Sequence, residues 1–310
     1  SWLSRGGGPG RPARAGSGCA DVDAPALLTP TAARALMDRH GLAMRRRDGQ
    51  NLLIDPNTVR RIVAAADLRP DDVVLEVGPG LGSLTLALAP AVAGVVAVEL
   101  DAGFVTALGE VLAGLGNVEV HHADALDVDL AALVGGGPAR LVANLPYGVA
   151  TAVVVTALAS GAFTDVFVMV QREVGERWAA AAGTPAYGAV SVRLQALATV
   201  RPTLTIPRAV FLPVPNVESV MVRLVRRDDA PDPRRYARLS RLAELGFAAR
   251  RKTLRNALAP LDVGAVRPAL AAVGVDPTRR AEQLDPPTLL ALADALGPAL
   301  DPTGPSSRAP

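Results

Sequence analysis

One cysteine, Cys19, is all the thiol chemistry these 310 residues hold. That excludes an internal disulfide framework and a cysteine-based zinc site within one chain. Lysine is as scarce: Lys252 stands alone, and the rest of the 32 basic residues are arginine. With Ala, Gly and Pro abundant, this reads as a GC-rich coding bias, so arginine richness alone names no partner. No apolar run reaches the ~18 residues a membrane span needs, and the N-terminus shows no signal-peptide core. A cytoplasmic protein with no membrane partner is expected.

Half the residues are hydrophobic, enough for a sizeable core, and the length allows one large domain with a smaller one beside it. The net charge is only +2, but it is uneven. Between Arg223 and Arg255 eleven basic residues face four acids, a local net of 11 − 4 = +7. Such a stretch suits a phosphate-bearing partner, or is an ordinary solvated helix face.

Residues 1–26 are rich in Gly, Pro and Arg and read as a disordered extension. Leu27 to Gly41 reads as a helix started by Thr29-Pro30 and stopped by Gly41, and Asp55-Pro56 opens another over Asn57 to Ala66. Strands are expected at Val73 to Val77, Gly94 to Leu100, Val118 to His121, Arg140 to Asn144, Asp165 to Val170 and Val220 to Val225. Between them helices are expected at Ser83 to Ala89, Asp101 to Leu115, Ala150 to Ser160 and Gln171 to Ala182. Val190 to Val200 mixes both periods and types as neither. The alternation predicts an α/β fold with a mainly parallel sheet over 27–227. Asp228 to Pro233 reads as a linker, followed by a small all-helical domain over 228–298 and a flexible tail over 299–310.

The chain is organised around Val73 to Gly82, where an apolar strand runs into Gly78, Gly80 and Gly82 and then a helix. Strand, glycine turn and helix open the ligand crevice of doubly wound folds. A dinucleotide site wants G-x-G-x-x-G, whereas this chain has E-x-G-x-G-x-G starting at Glu76, with Ser83 where the third dinucleotide glycine would fall. That grammar looks like the first motif of an S-adenosylmethionine (AdoMet) methyltransferase; a purely structural turn is the alternative. Glu99 ends the next strand 21 residues after Gly78, placed to accept from a ribose diol. Asp124 follows the third strand and suits either the exocyclic amine of an adenine or a capping role. His121 and His122 lack an i+4 His or Cys partner, so no metal is expected.

Asn144-Leu145-Pro146-Tyr147 ends the fourth strand, at the carboxyl edge where such sheets bind ligands. An amino group on an aromatic ring is a poor nucleophile because its lone pair is delocalised. The Asn144 side-chain oxygen and the Leu145 carbonyl can hold that group with its lone pair aimed at a methyl donor. Pro146 stiffens the turn and Tyr147 offers a ring face for stacking. The gain is mostly proximity and orientation.

Read in order, Gly49-Gln50-Asn51, Glu76 to Thr85, Glu99-Leu100-Asp101, Asn144 to Tyr147 and Phe211 to Ser219 (FLPVPNVES) closely resemble the rRNA adenine N6,N6-dimethyltransferases, from about Leu27 to Leu296. The resemblance is to the branch acting on small-subunit (16S) rRNA. It implies a Rossmann-like AdoMet-dependent methyltransferase fold with a helical C-terminal domain. It further implies AdoMet as methyl donor without a metal, and a monomer partnered with the small ribosomal subunit during its maturation. Asn51, the Leu53 backbone, Gly78, Gly80, Glu99, Asp124 and Asn144 would contact AdoMet. Asn144, Leu145, Tyr147 and Phe211 would serve the target base, with Tyr147 and Phe211 sandwiching it. Phe211 by itself suits a core aromatic, but its Pro-flanked loop argues for a presented one. Phe247 to Arg255 resembles the family's rRNA-binding region, implicating Arg250, Arg251, Lys252 and Arg255. The family usually has Leu before Gly-Gln-Asn and Phe after it; here Asp48 and Leu52 stand there. Rival readings are a large-subunit (23S) enzyme conferring macrolide resistance, a non-catalytic ribosome-assembly factor of the same fold, and a small-molecule methyltransferase.

Overall fold

The computed structural model describes residues 25–43, 51–249 and 251–301. The Gly-rich head, Arg45 to Arg47, Asp48, Gly49-Gln50, Arg250 and the tail from 302 lie outside the described residues. The chain divides into two compact units, one running to Gln171 and resuming over Leu204–Met221, the other holding Arg172–Thr203 and the remainder from Val222.

The first unit begins with α1 (Pro30–His40), whose cap Thr29 accepts from the Ala32 N–H at 3.2 Å and whose stop, Gly41, has φ of 62°. A two-residue strand, β1 (Leu52–Leu53), precedes α2 (Pro56–Ala66), capped by Asp55, which accepts from the Thr58 N–H at 2.8 Å. Then β2 (Val73–Val77), α3 (Ser83–Leu88), β3 (Gly94–Glu99), α4 (Ala102–Val111), β4 (Val118–His122), α5 (Leu130–Leu133), β5 (Ala139–Asn144), α6 (Ala150–Ser160) and β6 (Phe163–Gln171) alternate, all but the one-turn α5 as expected. The pairs β2–β3, β3–β4, β2–β5 and β5–β6 are all parallel.

Next come α7 (Arg172–Ala179), α8 (Ala189–Leu197), β7 (Ala198–Ile206), β8 (Phe211–Leu212) and β9 (Ser219–Arg226). The sheet order is β4-β3-β2-β5-β6-β9-β7. The chain therefore winds outward from β2 through β3 to β4, then returns to β5 on the other side of β2. That reversal opens a crevice at the carboxyl ends of β2 and β5. At the opposite end of β5, Arg140 is 9% exposed and donates to the Ala66 and Asp67 carbonyls, to Asp72 and to Asp165. It ties β5 to the end of α2, to the turn before β2 and to β6.

The segment that typed as neither helix nor strand is both, α8 followed by β7. Ser191, Val192, Leu194, Ala196 and Leu197 are all buried, so α8 has no polar face to give it a period. The domain expected to be all-helical holds α9 (Pro233–Phe247), α10 (Leu254–Ala257), α11 (Val263–Ala272) and α12 (Pro286–Leu296). Composition placed the domain edge at 227–228, but packing groups Arg172–Thr203 with these helices. Tyr187, Val192 and Ala196 belong to the same core as Leu239, Leu254, Leu270 and Leu292. The Tyr187 hydroxyl donates to the Leu284 carbonyl at 2.9 Å, and the Gly183 N–H to that of Glu282 at 2.7 Å.

Candidate active site

The turn after β2 is pinned to its neighbour. The Gly78 N–H donates to the Val98 carbonyl at 2.9 Å and the Gly80 N–H to Glu99 Oε2 at 3.1 Å. Gly78 and Gly80 have φ of 71° and 58°, which side chains adopt at a cost. A Cβ on Gly80 would stand 2.6 Å from Leu52 Cδ2, and one on Gly78 would stand 3.2 Å from Pro146 Cδ. Both faces of the turn are thus closely covered, by β1 and by the loop after β5.

Glu99 is 6% exposed, and its Oε1 accepts from the Leu100 and Asp101 N–H groups at 2.9 and 3.0 Å. Burial raises its pKa while the three backbone donors oppose the rise. Three of its roughly four acceptor sites are filled, leaving one on Oε2. Asn144 donates from Nδ2 to the Asn51 carbonyl at 2.9 Å, fastening the residue before β1 to the end of β5 and leaving Oδ1 to accept. Tyr147 lies half-buried, its hydroxyl 3.2 Å from Ser219 Oγ.

Asn51, Leu53, Gly78, Gly80, Glu99, Asn144, Leu145 and Tyr147 line one cavity. Its empty space, including the part open to solvent, is about 670 Å³. Asp124 lines an adjoining recess that shares Gly78, Glu99 and Pro146 with it. One Asp124 oxygen accepts from the Leu126 N–H at 2.8 Å, capping a turn rather than a helix. Leu100 exposes 64% of its surface at that rim, and His122 Nε2 holds the Leu100 carbonyl at 3.1 Å.

Phe211 is a correction. It is 2% exposed and packs in the core with Leu53, Met169, Ile206 and Met221 instead of facing the cavity. The reason is β8: Phe211 pairs with Leu53 and Leu212 with Leu52, turning the ring inward. The prolines after it present Val214 and Val217, 60% and 44% exposed, in place of the ring. Glu76 is what sequence reasoning left without a role. It is 1% exposed, lines the cavity and accepts from the Thr85 hydroxyl at 2.6 Å. Burial pushes its carboxyl up to about 8, with the Thr85 hydrogen bond opposing and the Glu99 charge reinforcing. The signal was present, since an acid inside an apolar strand is seldom idle.

In the second unit, Arg251, Lys252 and Arg255 are exposed and form no ion pair among the described residues. The rest of the basic stretch is largely spent. Arg227 pairs with Asp229, Arg234 and Arg238 with Asp301, Arg235 with Asp294, and Arg241 with Glu244. Among the described residues no group of three His, Cys, Asp or Glu is placed to hold a metal, and no helix is long and apolar enough to cross a membrane.

The chain matches the family of ribosomal RNA adenine dimethylases over residues 41–296. The chain belongs to this family. A relative from Pelotomaculum thermopropionicum, named ribosomal RNA small subunit methyltransferase A, is 41% identical over 285 residues, spanning 87% of this chain and 97% of its own. One of the same name from Kineococcus radiotolerans is 46% identical over 265 residues, spanning 83% and 88%. Among solved structures, the 23S rRNA methyltransferase ErmE is similar with a TM-score of 0.60 at 30% identity, over 79% of this chain and 99% of that one. A dimethyladenosine transferase from Plasmodium falciparum has a TM-score of 0.64 at 23% identity, over 78% and 95%, and bears on the fold alone. The fold is that of the Rossmann-like methyltransferases, and this rRNA adenine dimethylase is an AdoMet-dependent enzyme.

Proposed function

We propose that this dimethylase transfers methyls from AdoMet to N6 of two adjacent adenosines near the 3′ end of small-subunit rRNA, as part of subunit maturation in the cytoplasm. The observation that carries the reading is that Asn144 to Tyr147 and the glycine turn wall the same cavity, although 62 residues or more separate them. The residues fit AdoMet. Gly78 and Gly80 leave bare backbone in a tightly covered turn, Glu99 keeps an acceptor site for a ribose, Asp124 keeps an oxygen for an adenine amine, and Leu100 offers an apolar ledge beside it.

When bound, AdoMet supplies an electrophilic methyl on a sulfonium. Everything else falls to the chain. Asn144 Oδ1 and the Leu145 carbonyl hold the target amine so that its lone pair lies in line with that methyl. Tyr147 gives the unstacked base a face, which a base-modifying enzyme needs. No strong base is called for, because the amine proton becomes acidic only after transfer. Arg251, Lys252 and Arg255 would meet rRNA phosphates.

The small-subunit assignment is supported by relatives of that name at 41% and 46% identity, against 30% for the large-subunit enzyme ErmE. Labelled AdoMet offered to unmodified small and large subunits separately, with the labelled nucleotide mapped, tests it. Dimethyladenosine at adjacent small-subunit adenines is expected; label confined to the large subunit would replace the reading with that of a resistance enzyme.

A further inference from the structure

Ser219 opens β9 and is fully buried, and its hydroxyl faces the phenol of Tyr147 at the cavity wall, 3.2 Å away. A buried hydroxyl left without a partner is costly, and here the partner stands on a wall of the methyl-transfer cavity. The backbone beneath Tyr147 is already held, since the Val149 and Ala150 N–H groups both donate to the Pro146 carbonyl at 3.2 Å. Those bonds place the Tyr147 Cα but leave the ring free to swing about its side-chain torsions. The phenol oxygen, at the far end of the ring, is the point where one hydrogen bond controls both tilt and rotation.

We propose that Ser219 is a positioning residue for base methylation, its hydroxyl anchoring the Tyr147 phenol and so fixing the plane against which the target adenine lies. The proposal rests on the crevice being an adenine-N6 site. With the plane fixed, the amine held by Asn144 Oδ1 presents its lone pair to the methyl; with the ring free, the base tilts and the in-line geometry is populated less often. The tether also gives a physical reason for the Asn144–Tyr147 and Phe211–Ser219 segments to occur together: the first carries the platform and the second ends on its anchor.

The test compares Ser219→Ala, Ser219→Thr, Tyr147→Phe and the Ser219→Ala/Tyr147→Phe double variant in the full chain. Single-turnover methyl transfer to unmodified small subunits, KM for those subunits and AdoMet affinity by calorimetry are measured for each. One neutral hydrogen bond is at stake, so Ser219→Ala should lower the transfer rate about five- to tenfold, with AdoMet affinity and KM unchanged. Ser219→Thr should restore the rate, and the double variant should be no slower than either single one. Tyr147→Phe removes the same bond with Ser219 in place and carries the test if Ser219→Ala does not fold. Full transfer in both single variants, additive losses in the double one, or a parallel fall in AdoMet affinity would overturn the proposal. A wild-type enzyme that leaves small-subunit adenines unlabelled would instead overturn the functional reading beneath it.

Discussion

Glu76 combines near-complete burial, a single hydroxyl donor and a second carboxylate nearby in Glu99. Its folded-state pKa of about 8 stands above the ordinary 4.5, so the folded protein binds the proton more tightly than the unfolded chain. The resulting stabilisation is fully present below about 4.5 and is lost as pH rises through about 8. Between pH 6 and 9 this one group should cost on the order of 3 kcal/mol of unfolding free energy. Denaturant titrations of the wild type and Glu76→Gln at both pH values should show a clearly flatter dependence in the variant; equal slopes would count against a neutral buried acid. Asn144 tests the chemistry instead. Asn144→Ala gives up one half-buried hydrogen bond to Asn51, worth about 1 kcal/mol, but loses the acceptor for the target amine. Transfer should fall at least about a hundredfold, while the circular dichroism spectrum and melting temperature stay near those of wild type.

At the scale of elements, β5 matters at both ends: Asn144 and Tyr147 stand at its carboxyl end and Arg140 anchors its start. Arg140 neutralises Asp72 and Asp165 while satisfying two carbonyls, and Asp72 stays below the ordinary carboxylate range although burial works to raise it, because the Arg69 N–H and Arg140 outweigh burial. Arg140→Met would take the shared guanidinium away from two little-exposed carboxylates and leave the Ala66 and Asp67 carbonyls without this donor. A loss of about 3–5 kcal/mol is expected from the urea midpoint and slope, with much of it recovered when Asp72→Asn and Asp165→Asn are added. The glycine turn and α1 were legible because each depends on neighbours in sequence: a Thr-Pro start, an αL stop, a strand running into spaced glycines. The ladder of β1 and β8 was not, because two residues per strand carry no period and their pairing spans about 160 positions. That ladder also decides Phe211, whose loop argued for a presented ring while its pairing partner buried it.

For the whole molecule, a charge count along the chain misleads. The local excess between Arg223 and Arg255 is met partly by Asp294 and Asp301, acids far outside the counted stretch, and the Asp301 carboxyl is held well below its ordinary range by Arg238 and Arg234. Replacing Arg251, Lys252 and Arg255 together by Ala should weaken subunit binding and reduce the slope of log affinity against log salt by up to about 2–3. The same substitution at Arg235 and Arg238 should instead lower stability and leave that slope nearly unchanged. Filter binding across a salt series separates the two.

The sequence alone determined the family and the strand–helix alternation from β2 to β6, because glycine spacing, the Asn-Leu-Pro-Tyr segment and the alternating apolar runs are local patterns that chemistry demands at fixed separations. Eight of the proposed cofactor and base contacts line one cavity, and a ninth, Asp124, lines the recess beside it. Only the tertiary structure decided that Phe211 lies in the core, that Glu76 is a cavity wall, that five of the arginines are already neutralised, and that Ser219 reaches Tyr147. Each of these depends on which distant residue arrives beside it; an acid inside an apolar strand hinted at a role for Glu76, but the partners themselves are not written in spacing or composition.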